Sequence, residues 1–420
     1  MKNGELKIEN SQLPDGWEIK KLGEVCEIKP PKKEAKAKLR GTDLVTFLPM
    51  EDLGVLNKEI VGVKERQLKD VAGSYTYFAD NDVLLAKITP CFENGKIGIA
   101  RNLINGIGFG SSEYIVFRSK GEIIQDYLYY FLSREAFRDE GKKLMTGAVG
   151  HKRVSKEFIE NYLLPFPKSL PEQKRIVAIL DKAFAAIAKA KANAEQNLKN
   201  AKELFESYLQ GVFENKGEGW EEKRIQDITK VVNGYAFASK DFNAANSIKS
   251  IKITNVGVKE FVEENNNYLP ERYRNAFQDY QVREGNIVIA LTRTIIAAGL
   301  KVAIVPESYD GALINQRVAA LVPNEKLINQ RYLYNFLITD GVAKYVLANV
   351  NTLMQPNLSI NDLKNLIVPC PSLKEQKTIV KKIDALSAET KKLEAIYQQK
   401  TEDLEELKKS ILQKAFNGEL

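Results

Sequence analysis

Reactive side chains are scarce in this chain. Its 420 residues hold one histidine, His151, and three cysteines, Cys26, Cys91 and Cys370, set far apart. No CxxC or HxxxH spacing can be built from them, so no metal site is expected. With His151 alone, and no serine or cysteine beside it in a recognisable arrangement, a nucleophile–histidine pair has no basis. The unpaired cysteines fit a reducing cytoplasm. The polar start, MKNGELKIENS, lacks the apolar stretch of a signal peptide. The most apolar segment, 286–305, is broken by Arg293 and Lys301, and it reads as buried strands rather than a membrane span.

Other absences narrow the field further. No phosphate-cradling GxxxxGK[ST] occurs. Gly106, Gly108 and Gly110 are close together, but they do not follow GxGxxG spacing and open no amphipathic helix, so a loop is the reading there. The Asn/Asp-Pro-Pro-Tyr/Phe signature of amino-methyltransferases is missing. Pairs such as Glu18 and Lys20 lack the distant Pro-Asp that a nuclease centre would add. No catalytic residue is assigned, and the chain reads as a binder rather than an enzyme.

What is present is a duplication. GWEIKKL (16–22) returns as GWEEKRI (219–225), DVLLA (82–86) as NIVIA (286–290), and YLYYFL (127–132) as YLYNFL (332–337). Ser155, Asn161, Pro165 and Pro167 return as Ser359, Asn365, Pro369 and Pro371, and Leu170, Glu172 and Gln173 as Leu373, Glu375 and Gln376. The offset stays between 203 and 205 residues. The composition suits globular domains: 44% hydrophobic and 28% charged, with 62 Lys+Arg against 55 Asp+Glu. The resulting +7 is compatible with a nucleic-acid partner without requiring one.

Each repeat reads as a block followed by a long helix. VLLAKI (83–88) and IVIAL (287–291) are apolar runs rich in β-branched residues, and KIGIA (96–100) and KVAIV (301–305) follow as the next strands. Segments 126–139 and 331–346 have helical spacing of aromatics and leucines. PFP (165–167) and PCP (369–371) force extended backbone before each long helix. Pro171 and Glu172 suit a first helical turn, and Gly418 a C-terminal stop. The long helices are expected over 171–213 and 374–416, each a rod of about 64 Å.

Both carry heptad spacing. The first seam runs Ile176, Leu180, Ala183, Ile187, Ala190, Ala194, Asn197, Ala201, Leu204, Tyr208. The second runs Ile379, Ile383, Leu386, Thr390, Leu393, Tyr397, Lys400, Leu404, Leu407, Ile411. Antiparallel pairing about the midpoints would set Ala190 against Tyr397, Ala194 against Leu393 and Asn197 against Thr390, so that small faces large. The alternative is that each rod pairs with another molecule. The expected architecture is α+β: two duplicated α/β globular blocks separated by two long antiparallel coiled-coil helices, a dumbbell with an internal pseudo-two-fold axis. The boundaries fall at 1–168 and 216–371 for the blocks, and at 169–215 and 372–420 for the helices.

Three places suit a binder of DNA. The loop after the first repeated strand offers Lys87, Thr89 and Lys96 in one copy and Thr292, Arg293 and Thr294 in the other. Arg and Lys reach guanine edges or phosphates, and Thr bonds phosphate or packs on thymine methyls. The loop 146–155 offers His151, Lys152 and Arg153, aligned with Gln355 and Asn357. Before the last repeated strand stand Ser111 and Ser112, matched by Asn315, Gln316 and Arg317. An ordinary solvated turn is the competing reading for each.

The LPDGWE-like start of each half, NIVIALTRT, HKRVSKEFI and the P-x-P…LPEQKRIVAIL and P-x-P…LKEQKTIVKKI helix entries resemble the specificity subunit of type I restriction–modification enzymes. The likeness covers essentially the whole chain. It implies that each block is a target recognition domain reading one half of a bipartite, asymmetric double-stranded DNA target. It implies that the helices set the gap and dock two methyltransferase subunits, which carry the S-adenosylmethionine; no cofactor is expected in this chain. Two motor–nuclease subunits would complete a cleaving form, and no membrane is involved. The reading from another class is a coiled-coil scaffold or adaptor that never touches DNA.

Overall fold

A computed structural model describes residues 13–350 and 356–420. The chain divides into two compact units, Met1–Ala194 with Gln399–Leu420, and Glu195–Gln398. The division falls inside both long helices, so each unit holds one block and part of each helix.

In the first unit, an antiparallel sheet has the order Cys26–Ile28, Tyr114–Ser119, Val83–Ala86, Ile97–Ile99. Val83–Ala86 is buried along its whole length because it has a strand on either side and helices over one face. A second sheet, Lys64–Gln67, Leu44–Leu48, Ile107–Gly110, Thr76–Ala79, contains one parallel pair, Leu44–Leu48 with Ile107–Gly110. The Pro-x-Pro segment forms the strand Leu163–Pro167, which lies antiparallel to Trp17–Lys21. As a two-stranded ribbon it tolerates prolines, because each strand has an open edge.

The second unit repeats this frame. Thr229–Asn233, Val318–Pro323, Ile287–Ala290 and Val302–Ile304 pair in the same order, and Glu221–Arg224 pairs with Ile367–Cys370. Its second sheet differs: Tyr268–Leu269, Ile248–Ile251 and Leu313–Ile314, with only the last pair parallel. Each aromatic segment read as helical is two helices, Gln125–Leu132 and Glu135–Lys143 in one unit, Gln330–Leu337 and Asp340–Asn349 in the other.

The long helices span Leu170–Glu214 and Leu373–Asn417. A buried glutamine ties the first turn of each to its block. Gln173 accepts from the Ile124 amide (2.9 Å) and donates to the carbonyls of Glu122 (2.8 Å) and Pro167 (2.9 Å). Gln376 does the same with Asn329 (2.7 Å), Leu327 (3.2 Å) and Pro371 (2.8 Å). Both are fully buried. Gln173→Ala would strand main-chain groups away from water, so it should lower stability by at least about 1–3 kcal/mol. Thermal unfolding of the variant measures this; a melting curve unchanged from wild type would refute the role.

The helices pack antiparallel in the first unit, where Arg175 reaches the main-chain oxygen of Leu420 and Lys191 pairs with Glu405. The register anticipated from the heptads would have set Lys191 beside Ile396, so the helices are displaced from that pairing by more than a turn. The seam also departs from strict heptads. Ile176, Leu180, Ala194 and Ile383 are buried, and Ala190, Ile379 and Tyr397 half-buried. Leu204, Leu393 and Leu407, however, are 53%, 37% and 47% exposed, and Asn197 is exposed too. Phe205, Leu209 and Leu412 are covered instead. A straight helix drifts by about 20° per heptad against a 3.5-residue repeat. Over six heptads that drift carries the apolar stripe onto neighbouring positions.

Candidate nucleic-acid interface

The shared sheet ends at Lys87 in one unit and Leu291 in the other, and the chain is held there identically. The Lys87 amide donates to the Glu113 carbonyl (2.9 Å), and the Val154 amide to the Lys87 carbonyl (3.0 Å). The Leu291 amide donates to Arg317 (2.7 Å), and the Leu358 amide to Leu291 (2.9 Å). Ile88 bridges Arg153 as Thr292 bridges Asn357. Three loops of each unit are thereby pinned at one strand end: 87–96, 111–113 and 146–154, and their counterparts around 291–294, 315–317 and 356–358.

The side chains on this frame differ. In the first unit the Arg153 guanidinium grips the Glu113 carboxylate with Nε (2.9 Å) and Nη2 (2.8 Å), and Nη1 donates to the His151 carbonyl (3.0 Å). Arg153 hydrogen bonding holds the Glu113 carboxyl below the usual carboxylate range, against the opposing effect of partial burial. Lys87 donates to the Ser112 carbonyl (2.9 Å). Burial pulls its ammonium below the ordinary lysine range; Glu113 opposes this, and Lys29 and Arg153 reinforce it. The 146–153 loop closes through paired main-chain bonds between Thr146 and Arg153. Gly147 has φ +126° there, and a Cβ would lie 2.9 Å from the His151 carbonyl oxygen.

In the second unit, Arg317 occupies the place of Glu113 and Asn357 that of Arg153. Arg317 is exposed with φ +73°, and its side chain has no ion pair among the described residues. Arg293 is exposed with φ +49°. It adds to the burial that lowers the Lys301 pKa, so the two cations are neighbours. Asn315 and Gln316 hang on Tyr235, whose carbonyl accepts from the Gln316 amide (2.8 Å). Gly234 permits this approach: a Cβ there would stand 1.9 Å from the Asn315 carbonyl oxygen.

A family description, the type I restriction modification DNA specificity domain, matches residues 14–199 and again 217–402. The chain belongs to this family. It is similar to the specificity subunit of the type I restriction enzyme EcoAI from Escherichia coli, 27% identical over 92% of this chain and 80% of that protein. It is also similar to the MjaVIII specificity subunit from Methanocaldococcus jannaschii, 26% identical over 97% and 94%. Among solved structures it resembles a chain from work on complex assembly and conformational transition of the type I R-M system, with TM-score 0.77, 20% identity, and coverage of 97% of this chain and 100% of that one. The HsdS subunit from Thermoanaerobacter tengcongensis aligns with TM-score 0.67, 21% identity, and coverage of 98% and 99%. These two likenesses establish the fold. Among the described residues no helix is long and apolar enough to cross a membrane, and no cluster of His, Cys, Asp and Glu could hold a metal.

In this type I specificity chain the structure gathers Lys87, Thr89, Ser111, Ser112, His151, Lys152 and Arg153 at the strand end of the first unit, and Thr292, Arg293, Asn315, Gln316, Arg317 and Asn357 at the matching strand end of the second. Two candidates turn inward and are corrected. Lys96 is half-buried and donates to the carbonyls of Met50 (2.7 Å) and Glu51 (3.3 Å). Thr294 is fully buried, its hydroxyl accepting from the Leu358 amide (3.3 Å). Lys96 is thereby drawn toward the 50–51 segment and Thr294 into the core. Gln355 lies outside the described residues. Sequence reasoning missed Glu113, whose part shows only once its pairing with Arg153 is seen. It also missed Lys29, Lys32 and Lys36. Burial and then Lys29 and Lys36 hold Lys32 below the usual lysine range, so this group is continuous with the field around Lys87. The run KKEAKAK (32–38) was its signal. In the second unit the missed residue is Tyr235. It is 39% exposed and packed against Phe237, Phe277 and Tyr280 at 4.7–5.1 Å, and no counterpart in the first half marked it.

Proposed function

We propose that the chain is the DNA-reading subunit of a methylating and restricting complex, with each block reading one half of a bipartite, asymmetric duplex target. One observation carries this: a single main-chain frame, repeated in both units, presents Glu113 and Arg153 in one copy and Arg317 and Asn357 in the other. Equal frames with unequal donor and acceptor sets suit two readers of different base sequences. The long helices set the gap between half-sites and dock two methyltransferase subunits. Those partners carry S-adenosylmethionine and the methyl-transfer chemistry; this chain supplies none. Two motor–nuclease subunits join for cleavage. The family match favours this reading over a scaffold that never meets DNA.

Exchanging residues 220–371 for the matching block of another family member tests the assignment. The methylated or bound sequence should change in one half-site and stay fixed in the other; a change in both would defeat modular reading. Binding should also fall steeply with salt, because phosphate contacts release counterions. A scaffold would show no such slope.

A further inference from the structure

We infer that Arg153 reads a guanine in the half-site of the first block, and that Glu113 is the positioning residue that aims it. The inference rests on the blocks being DNA readers and adds which side chain reads which base. An arginine has five N–H donors in a rigid planar fork. Three are engaged here: Nε and one hydrogen of Nη2 on Glu113, and one hydrogen of Nη1 on the His151 carbonyl. Two remain, one on each terminal nitrogen. A pair of terminal guanidinium donors can meet the O6 and N7 acceptors of guanine. The Arg153 side chain is 45% exposed, so this fork is open to a ligand, while Glu113, at 23%, sits behind it. The backbone is fixed as well as the side chain, since Arg153 is paired in both directions with Thr146 and bridged to Ile88. A guanidinium locked at three points loses little rotamer freedom on binding.

The second unit supports the division of roles. Its frame puts an arginine, Arg317, where the first has the aiming carboxylate, and a neutral Asn357 where the first has the reader. The cation at this strand end has therefore moved to the neighbouring loop. Glu113 does not need to touch a base; at this position it converts a mobile cation into a directed one.

The test is selection of bound sequences from a randomised duplex library by the full chain, for wild type, Arg153→Lys and Glu113→Gln, each with a salt titration. Lysine keeps the charge and loses the fork. Arg153→Lys should lower affinity for the wild-type target by about tenfold to a hundredfold. It should erase a guanine preference at one position of one half-site, with the salt slope unchanged. Glu113→Gln should weaken the same preference and no other. If it fails to fold, Arg153→Lys still decides. If both variants select the wild-type sequence, or lose affinity equally for all sequences, Arg153 is a phosphate contact and the inference falls while DNA reading stands. If wild type enriches no sequence, DNA reading falls, and this inference with it.

Discussion

Arg118→Met should destabilise the first unit by about 3–5 kcal/mol, because it leaves a buried carboxylate without its partner. Asp82 is 1% exposed. Its oxygens accept from Arg118 Nε (2.9 Å) and Nη2 (2.7 Å), and from the Ala79 amide (2.8 Å). Arg118 also pairs with Glu34 and lies over the Tyr77 ring, 5.5 Å from its centroid. The arrangement joins three parts of the block: the turn before the central strand, the strand Tyr114–Ser119, and the helix Lys33–Lys38. That helix carries Lys36 and follows Lys29 and Lys32, so loosening it should also reduce the salt dependence of DNA binding. Hydrogen exchange under urea would show early opening of Tyr114–Ser119, with Val318–Pro323 of the second unit unaffected. Adding Asp82→Asn should restore more than half of the loss, since the uncompensated charge is then gone. A single-variant loss below about 1 kcal/mol would show that the triad does not anchor the block.

The second large effect concerns spacing. Inserting seven residues after Ala194 and seven after Gln398 lengthens both helices at the levels where the units divide. The added length is about 10 Å, about three base-pair steps at 3.4 Å each. The variant should prefer a gap about three base pairs longer, with both half-site sequences unchanged. On the original gap it can engage only one half-site. Each base pair of the lost half-site that goes unread costs about 1–3 kcal/mol, so binding there should all but vanish. A gap preference that stays at the wild-type value would refute the helices as the element that sets it.

The sequence made some of this legible and hid the rest for physical reasons. The long helices were readable to within a residue, because Pro-x-Pro stops and a glycine end frame an uninterrupted apolar period. Their seam was not, because 3.5 and 3.6 residues per turn are indistinguishable over one heptad and diverge over six. The shared sheet was visible because Val83–Ala86 and Ile287–Ala290 are buried on both faces and therefore uniformly apolar. The second sheets were not: Leu44–Leu48 and Ile248–Ile251 are counterparts, each parallel to one neighbour, but LVTFL and IKSI share no apolar pattern that would align them, and Lys64–Gln67 is polar and mostly exposed. At the interface, residue type located the loops but not the direction of each side chain. Lys96 and Thr294 look like Lys87 and Thr292 until the main-chain groups that engage them are seen. Glu113 gains a role only through Arg153, forty residues away in sequence.

Sequence selection by the unaltered chain bears most directly on the central claim. Duplexes recovered from a fully randomised pool should share two dissimilar short motifs separated by a gap of constant length and arbitrary sequence. One uninterrupted motif, the same motif twice, or no enrichment would contradict two different readers on a duplicated frame.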